Sequence, residues 1–248
     1  MQRVVGIVSG KGGVGKTTIA VNLGIALHRM GKNVLLVDGD ITGANLGLHL
    51  GFYQFPLGIM EALDENLEPV DVVYTHQSGL SFIPGSLSMD YIGESVSSSK
   101  LRRFLDGIDS LVLLDAPPGL GKDSLTVMKA CDEFMLVVNP DLPSVVDSMK
   151  LVQHAAEEGK RITGMILNRV KGKNEIVQQE IQQIIQSPVI GVVPEDAAVR
   201  KSLYYRTPVL LHDPFSPASI SINSIASGIA GIPYKRPRLA RMRRLFRR

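Results

Sequence analysis

Nine consecutive residues could hold a phosphate chain: Gly10, Lys11, Gly12, Gly13, Val14, Gly15, Lys16, Thr17 and Thr18. The apolar run from Arg3 to Ser9 precedes them, and an amphipathic segment from Thr17 to Met30 follows. Glycines let successive backbone N–H groups turn toward an anion, and the first turn of a helix adds the positive end of its dipole. In a loop of this spacing Lys16 reaches the β- and γ-phosphates of a nucleotide, and the Thr17 hydroxyl ligates Mg²⁺. A strand before and a helix after are the context that gives the spacing its meaning.

Carboxylates end two other apolar runs. Val34-Leu35-Leu36-Val37 leads into Asp38-Gly39-Asp40. Alternate residues of an extended chain share a face, so both aspartates could approach the phosphates or their metal. The competing use of one of them is to cap a helix beginning near Gly43. Leu111-Val112-Leu113-Leu114 delivers Asp115, followed by Ala116-Pro117-Pro118-Gly119-Leu120-Gly121. An acid ending a buried strand in a phosphate-loop protein holds Mg²⁺ through water, and the loop after it offers backbone N–H to a γ-phosphate.

Lys11, a second lysine directly after the first glycine, makes the loop specific. Lys11-Gly12-Gly13-Val14-Gly15-Lys16-Thr17-Thr18 resembles the deviant Walker A motif of the MinD/ParA ATPases, and is closest to the MinD branch. The segment Asp38 to Asn45 is similar to that family's first switch, and Asp115 to Gly119 to its second. The resemblance implies an ATP-bridged homodimer in which Lys11 reaches the partner's ATP and Asp40 orients the attacking water. It implies ATP and Mg²⁺ as cofactors, with Thr17, Asp40 and Asp115 around the metal. It further implies that Asn168, beside Arg169, reads the edge of the base and that the backbone of Pro194 and Glu195 lines its other side. Hydrolysis would rest on Lys16, Lys11 and Mg²⁺ neutralising charge. No strong general base stands among these residues, so slow turnover that a protein partner stimulates is expected.

Positioning these residues requires a layered frame. The expected strands are Val4–Ser9, Asn33–Asp38, Leu80–Pro84, Ser110–Asp115, Glu133–Asn139, Ile162–Asn168, Val189–Val193 and Val209–Leu211. Several are apolar throughout, as parallel strands buried on both faces are. Helices are expected at Thr17–Met30, Ser99–Asp106, Leu125–Ala130, Ser144–Glu158, Asn174–Gln186, Asp196–Tyr205 and Pro217–Gly228. The fold class is therefore α/β, a single-domain doubly wound and mostly parallel sheet of the P-loop NTPase kind, with helices on both faces and ligands at the carboxyl ends of its strands. The length of 248 residues suits one such domain over residues 1–233, with a separate tail over 234–248.

Composition narrows the classes further. With 44% hydrophobic and 21% charged residues the chain reads as globular, and no run approaches the 18 apolar residues of a membrane span. Met1 leads straight into a strand, so a cytoplasmic protein is expected. The one cysteine, Cys131, lies between apolar segments and reads as packing; without a Cys-x-x-Cys, an iron–sulfur cluster is not expected. The five histidines form no pair at metal-ligand spacing.

The tail carries the net charge. Tyr234 to Arg248 holds eight Lys or Arg and no acid; without those eight, the chain's 27 basic residues fall to 19 against 24 acids. The body is thus near −5 and the tail near +8. Leu239, Met242, Leu245 and Phe246 recur at helical offsets with Arg241 and Arg244 among the surrounding charges, a pattern suited to an anionic membrane surface. Each arginine there contributes about 1 kcal/mol and each inserted side chain about 1.5–3 kcal/mol, offset by ordering. One tail binds weakly, while two on a dimer bind tightly through effective concentration. This predicts peripheral association with the inner face of the cell membrane, in the service of division-site placement as the family resemblance implies. A DNA-partitioning ATPase of the ParA type is the rival, but phosphate contacts explain the arginines and not the apolar stripe, so nucleic acid is not an expected partner. Two further roles compete with division-site placement: positioning of flagella or another polar structure, and a non-enzymatic adaptor that docks an acidic protein.

Overall fold

A computed structural model describes residues 3–40, 43, 45–86, 88, 91 and 96–235. Its eight strands are β1 (Arg3–Val8), β2 (Val34–Asp38), β3 (Tyr74–Thr75), β4 (Ser81–Ile83), β5 (Leu111–Asp115), β6 (Glu133–Val138), β7 (Arg161–Val170) and β8 (Val189–Pro194). They form one sheet in the order β3-β4-β2-β5-β1-β6-β7-β8. All neighbouring pairs are parallel except β3 with β4. Nearly every residue of β1, β2, β5 and β6 is buried, which is why these strands read as unbroken apolar runs.

Helices cover both faces. On one face lie α1 (Lys16–Arg29), α2 (Leu46–His49), α8 (Ala197–Tyr204), α9 (Val209–His212) and α10 (Pro217–Ala230). The other face carries α3 (Ile59–Glu65), α4 (Ser98–Asp106), α5 (Lys122–Ala130), α6 (Leu142–Glu157) and α7 (Gln178–Ile185). The sheet thus separates two hydrophobic cores, one built around Leu23, Ile25, Leu36 and Phe82, the other around Phe134, Leu114, Leu136 and Leu151.

Val209–Leu211, expected as a strand, is helix α9. Three apolar residues do not distinguish the two conformations, and tertiary contacts decide: Leu210 donates its N–H to Asn22 Oδ1 on α1 at 3.0 Å, burying Val209 and Leu210. The helix expected from Asn174 starts at Gln178, because Asn174 takes a left-handed φ of 55° and Glu175 turns its carboxylate back onto the N–H of Lys171 and Gly172. The helix expected near Gly43 begins at Leu46. Helix α3 and the antiparallel edge strand β3 were not anticipated. Cys131 is wholly buried, and burial pushes its thiol up to about 12, so it is packing as expected. Among the described residues no helix is long and apolar enough to cross a membrane.

A nucleotide site at the carboxyl edge of the sheet

Parallel register sets the site. In the ladder, Asp115 of β5 stands opposite Ile7 of β1 and opposite Asp38 of β2, so three strand ends meet at one edge. The loop between β1 and α1 wraps that edge. Gly13 and Gly15 have φ of 76° and 94°, values L side chains rarely adopt. A Cβ on Gly10 would lie 2.4 Å from the backbone of Asp147 and Ser148 in α6, so only glycine lets the loop pass there. Helix α1 has no acid in its first turn and no side-chain cap, leaving its first N–H groups to an anion.

The two lysines occupy different environments. Lys16 is 7% exposed and its Nζ donates to Asp115 Oδ1 at 2.7 Å, an ion pair buried on both sides. Lys11 lies on the outer side of the loop, with a third of its side chain exposed, and donates to Asp141 Oδ1 at 2.8 Å. Asp141 also caps α6 by accepting from Ser144 N at 2.9 Å. Burial acts to raise its pKa, but the Lys11 ammonium and the Ser144 N–H outweigh that and hold the carboxyl below its ordinary value.

Asp38 takes the capping role. Its two oxygens accept from the N–H of Asp40 at 3.0 Å and of Leu46 at 3.2 Å, pinning the first turn of α2. Burial first, and Asp115 beside it second, push its carboxyl up to about 7. Asp40 is half-buried, accepts from Gly43 N at 3.0 Å, and is raised by burial against the opposing pull of Lys16. Asp38, Asp40 and Asp115 therefore act on one another at the mouth of the loop, while Lys16 pairs with Asp115 and pulls on Asp40. An excess of negative charge at the mouth of a phosphate loop suits a divalent cation. Among the described residues no three such groups gather into an all-protein metal cage, and Mg²⁺ needs none, since it takes one or two carboxylates, waters and phosphate oxygens. Thr17, the second residue of α1, stands where its hydroxyl could join that set.

The loop after Asp115 is tied to β1, with Ala116 N donating to Ile7 O at 3.1 Å and Gly119 N to Ser9 O at 2.9 Å. On the other flank Gly15, Thr18, Asn168, Arg169, Pro194 and Glu195 line one cavity of about 190 Å³. The residues expected around a base are thus brought together beside the loop. Asn168 does a second job there: its Nδ2 donates to Val14 O at 2.7 Å, bracing the phosphate loop from below. Asn139, with its amide turned to satisfy both ends, donates to Asn168 O at 3.1 Å and Val14 O at 3.2 Å. From sequence Asp38 stands between a metal or phosphate role and a cap, and Asn139 and Asp141 have no assigned role; their shared signal is position, at or just beyond the carboxyl end of an apolar strand. The tail residues Leu239, Arg241, Met242, Arg244, Leu245 and Phe246 lie outside the described residues.

A doubly wound parallel sheet with a glycine-bent, lysine-bearing loop at its carboxyl edge defines the P-loop nucleotide-binding proteins. Residues 5–209 match the CobQ/CobB/MinD/ParA nucleotide binding domain, and the chain belongs to that family. An uncharacterised ATP-binding protein of Methanocaldococcus jannaschii is 37% identical, with 95% of this chain and 90% of the relative covered. The septum site-determining protein MinD of Pyrococcus horikoshii, solved as a complex with Mg-ADP, superposes with a TM-score of 0.86 at 31% identity, covering 92% of this chain and 96% of that one. MinD in the MinC:MinD cell division complex of Aquifex aeolicus gives 0.83 at 28% identity over 94% and 98%. The chain is a MinD/ParA-type protein of the ATPase family, and MinD structures are among those it resembles.

Proposed function

We propose that this protein is a MinD-type ATPase that dimerises on ATP, binds an anionic membrane through its basic tail, and leaves it on hydrolysis, marking a division site or cell pole from the cytoplasm. The observation that carries the reading is the division of labour between the two loop lysines. Lys16 is buried against the carboxylates, where a phosphate chain and Mg²⁺ would sit. Lys11 is partly exposed on the outer side of the loop and held only by an ion pair across the surface, so it can exchange Asp141 for a phosphate on a second copy.

In this reading the loop N–H groups and Lys16 bind the phosphates, and Thr17, Asp40 and Asp115 hold Mg²⁺, directly or through water. Bound Mg²⁺ supplies charge neutralisation at the phosphate being transferred. Asp40, at the mouth of β2, orients water, and a carboxylate is only a weak base, which fits a slow timer. Asn168, Arg169, Pro194 and Glu195 receive the base. The solved MinC:MinD complex supports a protein effector for this chain as well.

The test is sedimentation velocity with Mg·ATP and with Mg·ADP. Dimer in ATP alone, lost in Lys11→Ala while Mg·ATP still raises the melting temperature of that variant, is expected. A monomer in both nucleotides would overturn the reading.

A further inference from the structure

A second cavity lies at the other end of the sheet. It occupies about 600 Å³ between the sheet, the last turn of α1 and the last turns of α10. That volume is in the range of sites that hold small molecules. Leu27, Leu113, Met135, Ile190, Ile225 and Ile229 make its walls apolar.

Its charged groups sum to a net positive charge. Glu133, 4% exposed, lies between Arg3 and Arg161, accepting from Arg161 at 2.7 Å and contacting Arg3. That trio holds one positive charge in excess. Lys32 lines the cavity as well and, among the described residues, has no ion-pair partner. The Thr163 hydroxyl is already engaged, donating to Phe134 O at 2.9 Å.

An apolar chamber with a cationic rim selects a ligand of matching form. We propose that this cavity binds a small amphiphile with an apolar body and a single anionic head, of the medium-chain alkyl carboxylate class, with Lys32 and Arg3 facing the head. The chain's own tail is the obvious rival occupant, because α10 runs directly toward it. Charge decides against it: Leu239, Met242, Leu245 and Phe246 are embedded among eight cations, which the rim would repel. A bound amphiphile would touch both the helix that leaves the phosphate loop and the helix that precedes the tail.

Binding at this cavity does not depend on the ATPase reading and is tested without nucleotide. The full chain is titrated with 1-anilinonaphthalene-8-sulfonate, which is then displaced by decanoate below its micellar concentration or by decanol. Expected is saturable, one-to-one displacement by decanoate and far weaker displacement by decanol. Lys32→Glu should weaken decanoate at least about tenfold and leave decanol unchanged. Gly228→Leu should abolish the site while keeping the melting temperature, since a Cβ there meets nothing within 4 Å and its helical backbone accepts any side chain. A full-length Leu245→Glu/Phe246→Glu variant should bind decanoate as the parent does. Four results would overturn the proposal: no displacement, equal displacement by decanol, binding that survives Gly228→Leu, or binding that appears only once the tail's apolar residues are replaced. The last would make the tail the occupant.

Discussion

The two ends of one sheet differ in how they handle charge. At the carboxyl edge, charges are held by defined partners: Lys16 with Asp115 and Asp38 on two backbone N–H groups are buried, and Lys11 with Asp141 lies at the surface beside them. At the amino edge the side chains around the cavity are mostly apolar, with the acid Glu133 buried among them, and the cations stand at the rim, with Arg3 and Arg161 half or more exposed. Buried charge is stable only while its partners are present. The carboxyl edge is therefore sensitive to single substitutions and to ligands that bring charge, whereas single substitutions at the exposed cations of the amino edge should be tolerated.

Lys16→Ala gives the sharpest contrast. It leaves Asp115 and Asp38 buried beside each other without a cation, so stability in urea should fall by about 3 kcal/mol, and Mg·ATP should no longer raise the melting temperature. Unchanged stability would mean that the edge is wetter than its burial suggests. Next is Gly10→Ala. Its Cβ would meet backbone rather than a movable side chain, so a loss of about 1–3 kcal/mol is expected together with weakened nucleotide binding, measured by calorimetry.

The amino edge should respond less. Arg161→Ala, at a side chain 73% exposed, should change stability by under about 1 kcal/mol because Arg3 remains on Glu133. Removing both arginines should cost more than the sum of the two single changes, since Glu133 then has no cation; an additive double-mutant cycle would contradict this. The smallest effect concerns pH. The depressed carboxyl of Asp141 contributes stability that is present above the unfolded aspartate value and is lost as pH falls through the lower folded one. In Lys11→Ala that window should move up toward the ordinary aspartate range, as carboxyl-detected NMR titration of Asp141 would report.

The same contrast explains what could be read from the sequence. Several apolar runs at the carboxyl edge lead into Asp or Asn, and the glycine spacing fixes where the phosphate loop must be, so Asp40, Asp115 and Asn168 were visible as strand-end residues and Lys16 as the lysine of the loop. Asp38 was visible too, but its two-fold use as cap and as neighbour of Asp115 depends on register between β2 and β5, which spacing does not encode. Lys11 with Asp141 joins residues 130 positions apart. Arg3, Lys32 and Glu133 stand singly in the chain, with no periodic partner, and meet only because the strands are aligned. Elements failed where local signals were short: α9 is four residues long, and α3 announces itself only by Gly58 with Glu61, whose carboxylate accepts from Gly58 N at 2.7 Å.

The central claim is that nucleotide state controls membrane attachment through the tail. Cosedimentation with anionic vesicles in Mg·ATP and in Mg·ADP, using the full chain and a chain lacking the last ten residues, tests it most directly. The protein should pellet only when ATP and the tail are both present. Pelleting that is indifferent to nucleotide, or none under any condition, would contradict it.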